Sequence, residues 1–367
     1  MRVTRAAVRS VLLPLALLSA CSENEPSQTD PAERNPAATA NPSWVIPHRT
    51  LPPPAAASDE LRAAIEQTPQ PNVEASRQSP YSTAEEWTDA AAASSASRSE
   101  SVLELARAWS VAISEDHVAG VTVRHVTSGE TDPANDGRLF VHVHGGAYVF
   151  NGGLASVAEA ILIARRAKIP VLSIDYRMPP AHPFPAAVDD VVAVWKHLLA
   201  DRPARAMALG GTSAGGGLTL AAVHRFKELG LEVPGAIWAG TPWADLTKTG
   251  DSHFTNEGID RLLVTYDGVL ESAARLYADG HDLKSALISP VYGDFAGFPP
   301  TQLVTGTRDL FLSDVVRVHR KMRMAGVIAD LNVYEGVSHG DYALIIRAPE
   351  SEQVYAELGT FLLTHLE

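Results

Sequence analysis

From residue 121 onward short apolar runs alternate with longer amphipathic stretches, and this rhythm constrains the fold more than any other feature of the chain. The runs VTVRHV (121–126), LFVHVHG (139–145), PVLSIDY (170–176), AMALGG (206–211), GAIWAG (235–240), TQLVTG (301–306) and ADLNVYEG (329–336) have the length of strands. Stretches of helical length lie at 155–167, 185–200, 214–229 and 312–325, and a last one spans about 349–366. Repeated β-then-α units predict an α/β fold, a mostly parallel sheet with helices on both faces. Two stretches break the rhythm. Residues 82–113 are helical in composition and open on STAEE, where Ser82 and Glu85 have capping-box spacing. Residues 245–285 begin polar and turn helical around 268–278. Both are expected to cover the open edge of the sheet, so residues 44–118 read as an N-terminal cap segment and 119–367 as the main domain, with a cap insertion at about 245–285. The chain carries no internal repeat.

In a doubly wound sheet, reactive groups gather at the carboxyl ends of the strands. GTSAGGG follows the strand at 206–210 and precedes a helix, which places Ser213 of a G-x-S-x-G pattern at such an end. A Cβ at Gly211 or Gly215 would clash where strand and helix approach, and the helix starting at Ala214 aims free N–H groups at any oxygen near Ser213. Five small residues also occur by chance in an ordinary glycine-rich loop, so the weight falls on partners. A serine hydroxyl needs a base to take its proton and a carboxylate to fix the tautomer of that base. VTGTRDLFLSD puts Asp309 just after the strand at 301–305, and VYEGVSHGDY puts His339 just after the strand at 329–334. Asp314, farther from the strand end, reads as an N-terminal charge on the next helix, a role also open to Asp309. His339 is open to a plainer reading as a surface histidine beside a turn; among thirteen histidines it is the one in a late loop after the acid. Attack on an acyl carbon also needs donors for the oxyanion. HVHGGAY offers Gly145 and Gly146 at the end of the strand at 139–143, and Ala214 adds its own amide. Tyr148, Trp243 and Phe254 are candidates to shape a substrate pocket.

HGGAY, then DYRMPPAHPFPAAVDD (175–190), then GTSAGGG, in that order, resemble the bacterial hormone-sensitive-lipase-like (family IV) carboxylesterases of the α/β-hydrolase superfamily, over residues 121–367. The order Ser213, Asp309, His339 is also the chain order of α/β-hydrolases. SWVIPHRTLPPPAAASDELRAAI (43–65) looks like the cap entry of esterases grouped with ε-lactone hydrolases. The resemblance implies an α/β-hydrolase fold with a helical cap and a cofactor-free serine carboxylesterase acting on short- to medium-chain acyl esters. A lactone or activated amide as substrate, or a ligand-binding homologue without turnover, are the alternatives; by analogy alone, family members that pair through the last strand and helix suggest a homodimer. Three positions depart from the family pattern: Ala147 stands for a third glycine, Thr212 for an acidic residue before the serine, and Ala181 for a glutamate. HPFP (182–185) reads as a rigid turn into a helix with Asp189 and Asp190 in its first turns, and His142 as a satisfied core histidine. No H-E-x-x-H or P-loop pattern occurs, so neither metal nor cofactor is expected.

Residues 1–20 carry Arg2, Arg5 and Arg9, an apolar run too short to span a bilayer, and then small residues, the layout of an export signal. The one cysteine of the chain, Cys21, completes LSAC, which resembles the lipobox of bacterial lipoproteins and implies cleavage before a lipidated thiol; Ser22 matches the sorting rule for the outer membrane. A lone cysteine excludes a disulfide framework and a cysteine-based zinc site. Removal of residues 1–20, with three arginines and no acid, takes the formal charge from −13 to −16. So acidic a surface repels nucleic acid and anionic lipid, leaving acyl chains as the only means of holding a membrane. Residues 22–43 hold nothing apolar larger than alanine or proline and read, with Cys21, as a tether.

Overall fold

The runs that form the strands Leu139–Val143, Val171–Ile174, Met207–Thr212, Ala236–Gly240 and Thr301–Gly306 are buried at every position, the pattern of strands sandwiched between two helical layers. The computed structural model describes residues 50–367; the expected export signal, Cys21 and the tether lie outside them. In chain order the strands are β1 (Val111–Val118), β2 (Val121–Ser128), β3 (Leu139–Val143), β4 (Val171–Ile174), β5 (Met207–Thr212), β6 (Ala236–Gly240), β7 (Thr301–Gly306) and β8 (Ala329–Tyr334). Among the described residues they form one sheet in the order β1-β2-β4-β3-β5-β6-β7-β8. The β1–β2 and β2–β4 pairs are antiparallel and all others parallel.

Alternation along the strands divides the core in two. Val141, Leu209, Ile237 and Leu303 face a layer built from the helices Ala186–Asp201, Ala214–Glu228 and Leu312–Met324. Phe140, Ala208, Trp238 and Val304 face the layer of Ala158–Leu162 and Pro349–His365.

The two stretches outside the alternation differ from expectation in detail. The helix expected over 82–113 is Ala84–Ala108, and its capping box sits one residue later, on Thr83 and Glu86, with Glu86 also accepting from the Ser82 amide at 2.7 Å. Residues 111–118, read as the end of the cap segment, are the edge strand β1, whose middle is exposed and polar, as an unpaired edge tolerates. The insertion contains the short helix Ser252–Thr255 and the helix Val269–Ala278. The stretch 155–167 is no uniform helix: a 3₁₀ turn (Gly153–Val157), an α turn (Ala158–Leu162) and a π turn (Ile163–Ala167) follow one another.

Candidate active site

Because β3, β5, β6, β7 and β8 run parallel, their carboxyl ends open on one edge of the sheet, and the loops that follow them meet there. Ser213 follows β5 with φ +64° and ψ −125°, a left-handed backbone that a serine adopts only when its surroundings impose it. The imposition is steric and polar together. A Cβ at Gly211 would lie 1.9 Å from the Val143 carbonyl oxygen, and one at Gly215 2.1 Å from the same atom, so the turn exists only with glycine on both sides. The Ser213 amide donates to the Gly240 carbonyl at 2.8 Å, and the Ser213 carbonyl accepts from Gly217 at 3.0 Å and Trp243 at 2.9 Å.

The loop after β3 is equally constrained. Gly146 has φ +120°, and a Cβ there would meet the Phe150 carbonyl at 2.4 Å. Ala147 and Tyr148 also have positive φ, +52° and +64°. Val149 and Phe150 both donate to the Gly146 carbonyl, and Asn151 Nδ2 donates to the Gly145 carbonyl at 3.1 Å. Among the described residues no protein acceptor pairs with the amides of Gly145, Gly146 or Ala214. His144 stacks on Tyr176 with ring centroids 4.2 Å apart, and burial pushes its imidazole down to about 4, so it is neutral.

Across from Ser213, Asp309 and His339 meet at the ends of β7 and β8. His339 Nδ1 lies 3.2 Å from Asp309 Oδ1, and since a carboxylate only accepts, Nδ1 carries the proton. Thr305 Oγ1 at 2.8 Å and Thr241 Oγ1 donate to Asp309 Oδ2, and the Phe311 amide donates to Oδ1 at 2.9 Å. Burial alone would raise the Asp309 carboxyl, but His339 and these donors hold it below the ordinary carboxylate value. Burial alone would lower His339, and the charges of Asp309, Asp260 and Asp341 reverse this and raise it. His339 Nε2 is buried without a hydrogen-bond partner. Asp314 lies in the first turn of Leu312–Met324 as expected, but is wholly buried, 3.5 Å from His253 and 3.6 Å from Arg317 rather than facing solvent.

Sequence reasoning missed four residues here. Glu159, from the opposite helical layer, accepts from the Thr212 amide at 3.1 Å, from Thr212 Oγ1 and from Tyr355 Oη at 3.1 Å, and lies 3.2 Å from His142 Nε2. It supplies from 53 residues away the carboxylate absent at position 212. His142, with Ser173 Oγ on its other nitrogen at 2.9 Å, is the satisfied core histidine expected. Thr241 follows β6, and its φ of +35° is an outlier for a β-branched residue. Asn256 and Asp260 of the insertion bond the loop that carries Asp309. The departure at Thr212 was the one signal in the sequence; nothing local marked the other three.

Ser213, His339, Gly145 and Gly146 line one cavity of about 500 Å³. Its further walls come from Tyr81, Ala90, Ser94 and Arg98 in the N-terminal segment, from Phe150, and from Leu262, Leu263, Val269 and Leu270 in the insertion. The three expected pocket aromatics are not among them. Tyr148 is buried in a stack with Tyr277 (centroids 3.8 Å), Trp243 stacks on Phe311 (5.6 Å), and Phe254 is 59% exposed beside Lys248. Aliphatic side chains of the insertion, with Tyr81 and Phe150, reach the cavity instead.

A family model described as "alpha/beta hydrolase fold" matches residues 140–343. The chain belongs to the α/β-hydrolase fold family. An α/β-hydrolase with this sheet and these strand-end loops has relatives named as ester hydrolases. An "Acetyl-hydrolase" of Streptomyces hygroscopicus is 33% identical over 246 residues, 66% of this chain and 82% of the relative. "Putative acetyl-hydrolase LipR" of Mycobacterium tuberculosis is 32% identical, covering 68% and 79%. Among solved structures, "esterase E25" is 52% identical with a TM-score of 0.86, covering 89% of this chain and 99% of that one. An "esterase from the bacterial hormone-sensitive lipase (HSL) family" is 29% identical with a TM-score of 0.69, covering 85% and 100%. The resemblance to hormone-sensitive-lipase-like esterases therefore holds, and this α/β-hydrolase is an ester hydrolase.

Proposed function

We propose that the chain is a serine carboxylesterase in which Ser213 is the nucleophile, His339 the proton carrier and Asp309 the residue that orients it. The observation that carries this reading is the buried Asp309–His339 pair, which leaves Nε2 unpartnered on the same cavity as the constrained Ser213. Ser213 Oγ bonds to the ester carbonyl carbon as its proton passes to Nε2. The carbonyl oxygen becomes an oxyanion among the amides of Gly145, Gly146 and Ala214, and the alkoxide leaves with the proton from His339. Water, deprotonated by His339, then releases the acid and restores Ser213. The cavity volume and the aliphatic walls at Leu262, Leu263, Val269 and Leu270 favour short- to medium-chain acyl groups.

Purified protein is to be assayed on p-nitrophenyl esters of rising acyl length, with ε-caprolactone as the lactone arm, and labelled with a fluorophosphonate probe. Turnover that peaks at short to medium chains, with labelling abolished in Ser213→Ala, is the expected result. Equal labelling of wild type and Ser213→Ala, with no turnover, would favour a ligand-binding homologue. The proposal extends to location: Cys21 carries the lipid that holds the enzyme to a membrane. Cys21→Ser is then expected to release active enzyme into the soluble exported fraction, and unchanged membrane retention would refute the anchor.

A further inference from the structure

The insertion does more than cover the sheet. Ser252, Asn256 and Asp260 follow one another at intervals of four, linked by hydrogen bonds from the Asn256 amide to the Ser252 carbonyl and from the Asp260 amide to the Asn256 carbonyl, both 3.0 Å, and their side chains converge on the same loop. All three are buried polar residues, and that loop is the one that carries Asp309. Ser252 Oγ donates to the Leu310 carbonyl at 2.7 Å and accepts from Ser313 at 2.8 Å. Asn256 Nδ2 donates to the carbonyl of Asp309 itself at 2.8 Å.

Asp260 reaches farthest. Its Oδ2 accepts from the Leu310 amide at 2.8 Å and from the His339 amide at 3.3 Å. Its Oδ1 accepts from Leu262 at 2.9 Å and Leu263 at 3.0 Å, the two residues of the insertion that wall the cavity beside Ser213. One carboxylate thus joins the acid loop, the histidine loop and the pocket wall. We propose that Asp260 is a positioning residue of the reaction, the charged end of a brace made by Ser252, Asn256 and Asp260, which fixes Asp309 and His339 against each other through their backbones and ties both to the acyl wall.

Charge distinguishes this brace from simple packing. A second carboxylate buried beside Asp309 is expensive, and it is offset here because both of its oxygens accept from backbone amides, Leu262 and Leu263 on one and Leu310 and His339 on the other, where an asparagine offers a single acceptor oxygen. Burial and the neighbouring Asp309 push the Asp260 carboxyl up to about 6, while His339 and the amides of Leu263 and Leu310 pull it down. Four backbone N–H groups directed at its two oxygens favour the carboxylate form, and the imidazolium that forms on His339 during turnover lies among Asp309 from the loop after β7, Asp260 from the insertion and Asp341 from its own loop. Arg261, the remaining charged group beside them, is spent on Asp341.

The inference rests on the Ser213–His339–Asp309 reading, and the test separates the two. Asp260→Asn, Asn256→Ala, Ser213→Ala and the exposed control Asp251→Asn are to be compared in the full chain on p-nitrophenyl butyrate, with thermal unfolding to verify folding. For Asp260→Asn the expected result is a 10- to 100-fold loss of kcat, since a displacement of about 1 Å in the catalytic groups costs that order. KM should stay within about threefold, and the acid limb of kcat/KM should move to lower pH because one carboxylate facing His339 is gone. Asp251→Asn should match wild type. A loss below about tenfold, a loss confined to KM, or an acid limb that stays in place overturns the proposal while Ser213→Ala is inactive. Should Asp260→Asn not fold, Asn256→Ala decides: it removes a neutral donor, so a kcat loss of about fivefold or more with an unmoved acid limb supports the brace, and a smaller loss overturns it. Activity retained in Ser213→Ala would remove the underlying reading, and the brace as a catalytic device with it.

Discussion

The two halves of the site are held by opposite means. On the side of the proposed nucleophile, exclusion is the distinguishing constraint, added to the backbone hydrogen bonds of Ser213: Val143 packs so closely on Gly211 and Gly215 that no side chain fits, and Ser213 is left with a backbone it would not adopt alone. On the relay side, position comes from buried polar groups: Thr241, Thr305, Asn256 and Asp260 each bond the Asp309 loop or its carboxylate. A site fixed by exclusion fails when volume is added, whereas one fixed by hydrogen bonds fails when a donor or a charge is removed at constant volume. The first kind of change should act on folding before chemistry, the second on chemistry before folding.

The largest test of the contrast is Asp309→Asn. The side-chain volume is unchanged, but the new group would offer His339 an amide in place of a carboxylate and favour the wrong tautomer; kcat should fall by about 10⁴-fold with the fold intact. Asp314→Asn should lose no more than about tenfold, because Asp314 sits beside His253 and Arg317 rather than His339. Steady-state kinetics with a thermal melt decides, and a larger loss in Asp314→Asn would reverse the assignment. Gly215→Ala is the opposite case. The added methyl meets backbone on a neighbouring strand end that cannot yield, so destabilisation of about 3 kcal/mol or more is expected, read as a lowered denaturation midpoint. A Gly215→Ala protein as stable as wild type but inactive would break the comparison.

The same contrast explains what the sequence disclosed. Strands that carry apolar runs announce themselves, and seven of the eight strands of the sheet are placed by them, five of those seven buried at every position. Strand β1 escapes because its middle, ISEDH, faces water at the edge, and its helix-like composition continues that of the preceding segment. The exclusion side of the site is legible, since glycines in a fixed spacing are a local signal. Ser213, Asp309 and His339 are legible because each lies in the loop or turn that follows a strand. The hydrogen-bonded support is not: Glu159 meets position 212 across 53 residues, and Asp260 meets Leu310 across 50 and His339 across 79. Such partners are chosen by the packing of layers that local pattern does not encode.

The relay side also predicts a pH dependence of intermediate size. In the proposed relay His339 accepts the Ser213 proton only when neutral. Its folded pKa lies above the ordinary 6.5, because Asp309, Asp260 and Asp341 outweigh the effect of burial. Activity should therefore rise with pH through a limb centred on the alkaline side of 6.5, falling about tenfold per unit below it. A profile of kcat/KM centred below 6.5 would show that desolvation wins, and that the carboxylates around the imidazole are neutralised.

The smallest expected effect probes whether exclusion also governs the loop of the oxyanion donors. Ala147 holds φ +52° where the family pattern has glycine, between Gly146 at +120° and Tyr148 at +64°. A left-handed alanine costs roughly 1 kcal/mol, whereas a glycine there would free the unfolded chain by a similar amount. Ala147→Gly should consequently change stability by less than about 1 kcal/mol and leave kcat within about twofold, as measured by denaturation and p-nitrophenyl butyrate turnover. The loop keeps its course because Tyr148 is clamped against Tyr277 and Gly146 is pinned under the Phe150 carbonyl, neither of which involves the methyl group. A marked loss of kcat in Ala147→Gly would mean that the methyl itself limits the motion of the Gly145 and Gly146 amides, which would move this loop from the exclusion side of the comparison to a third category, held by the stiffness of its own backbone.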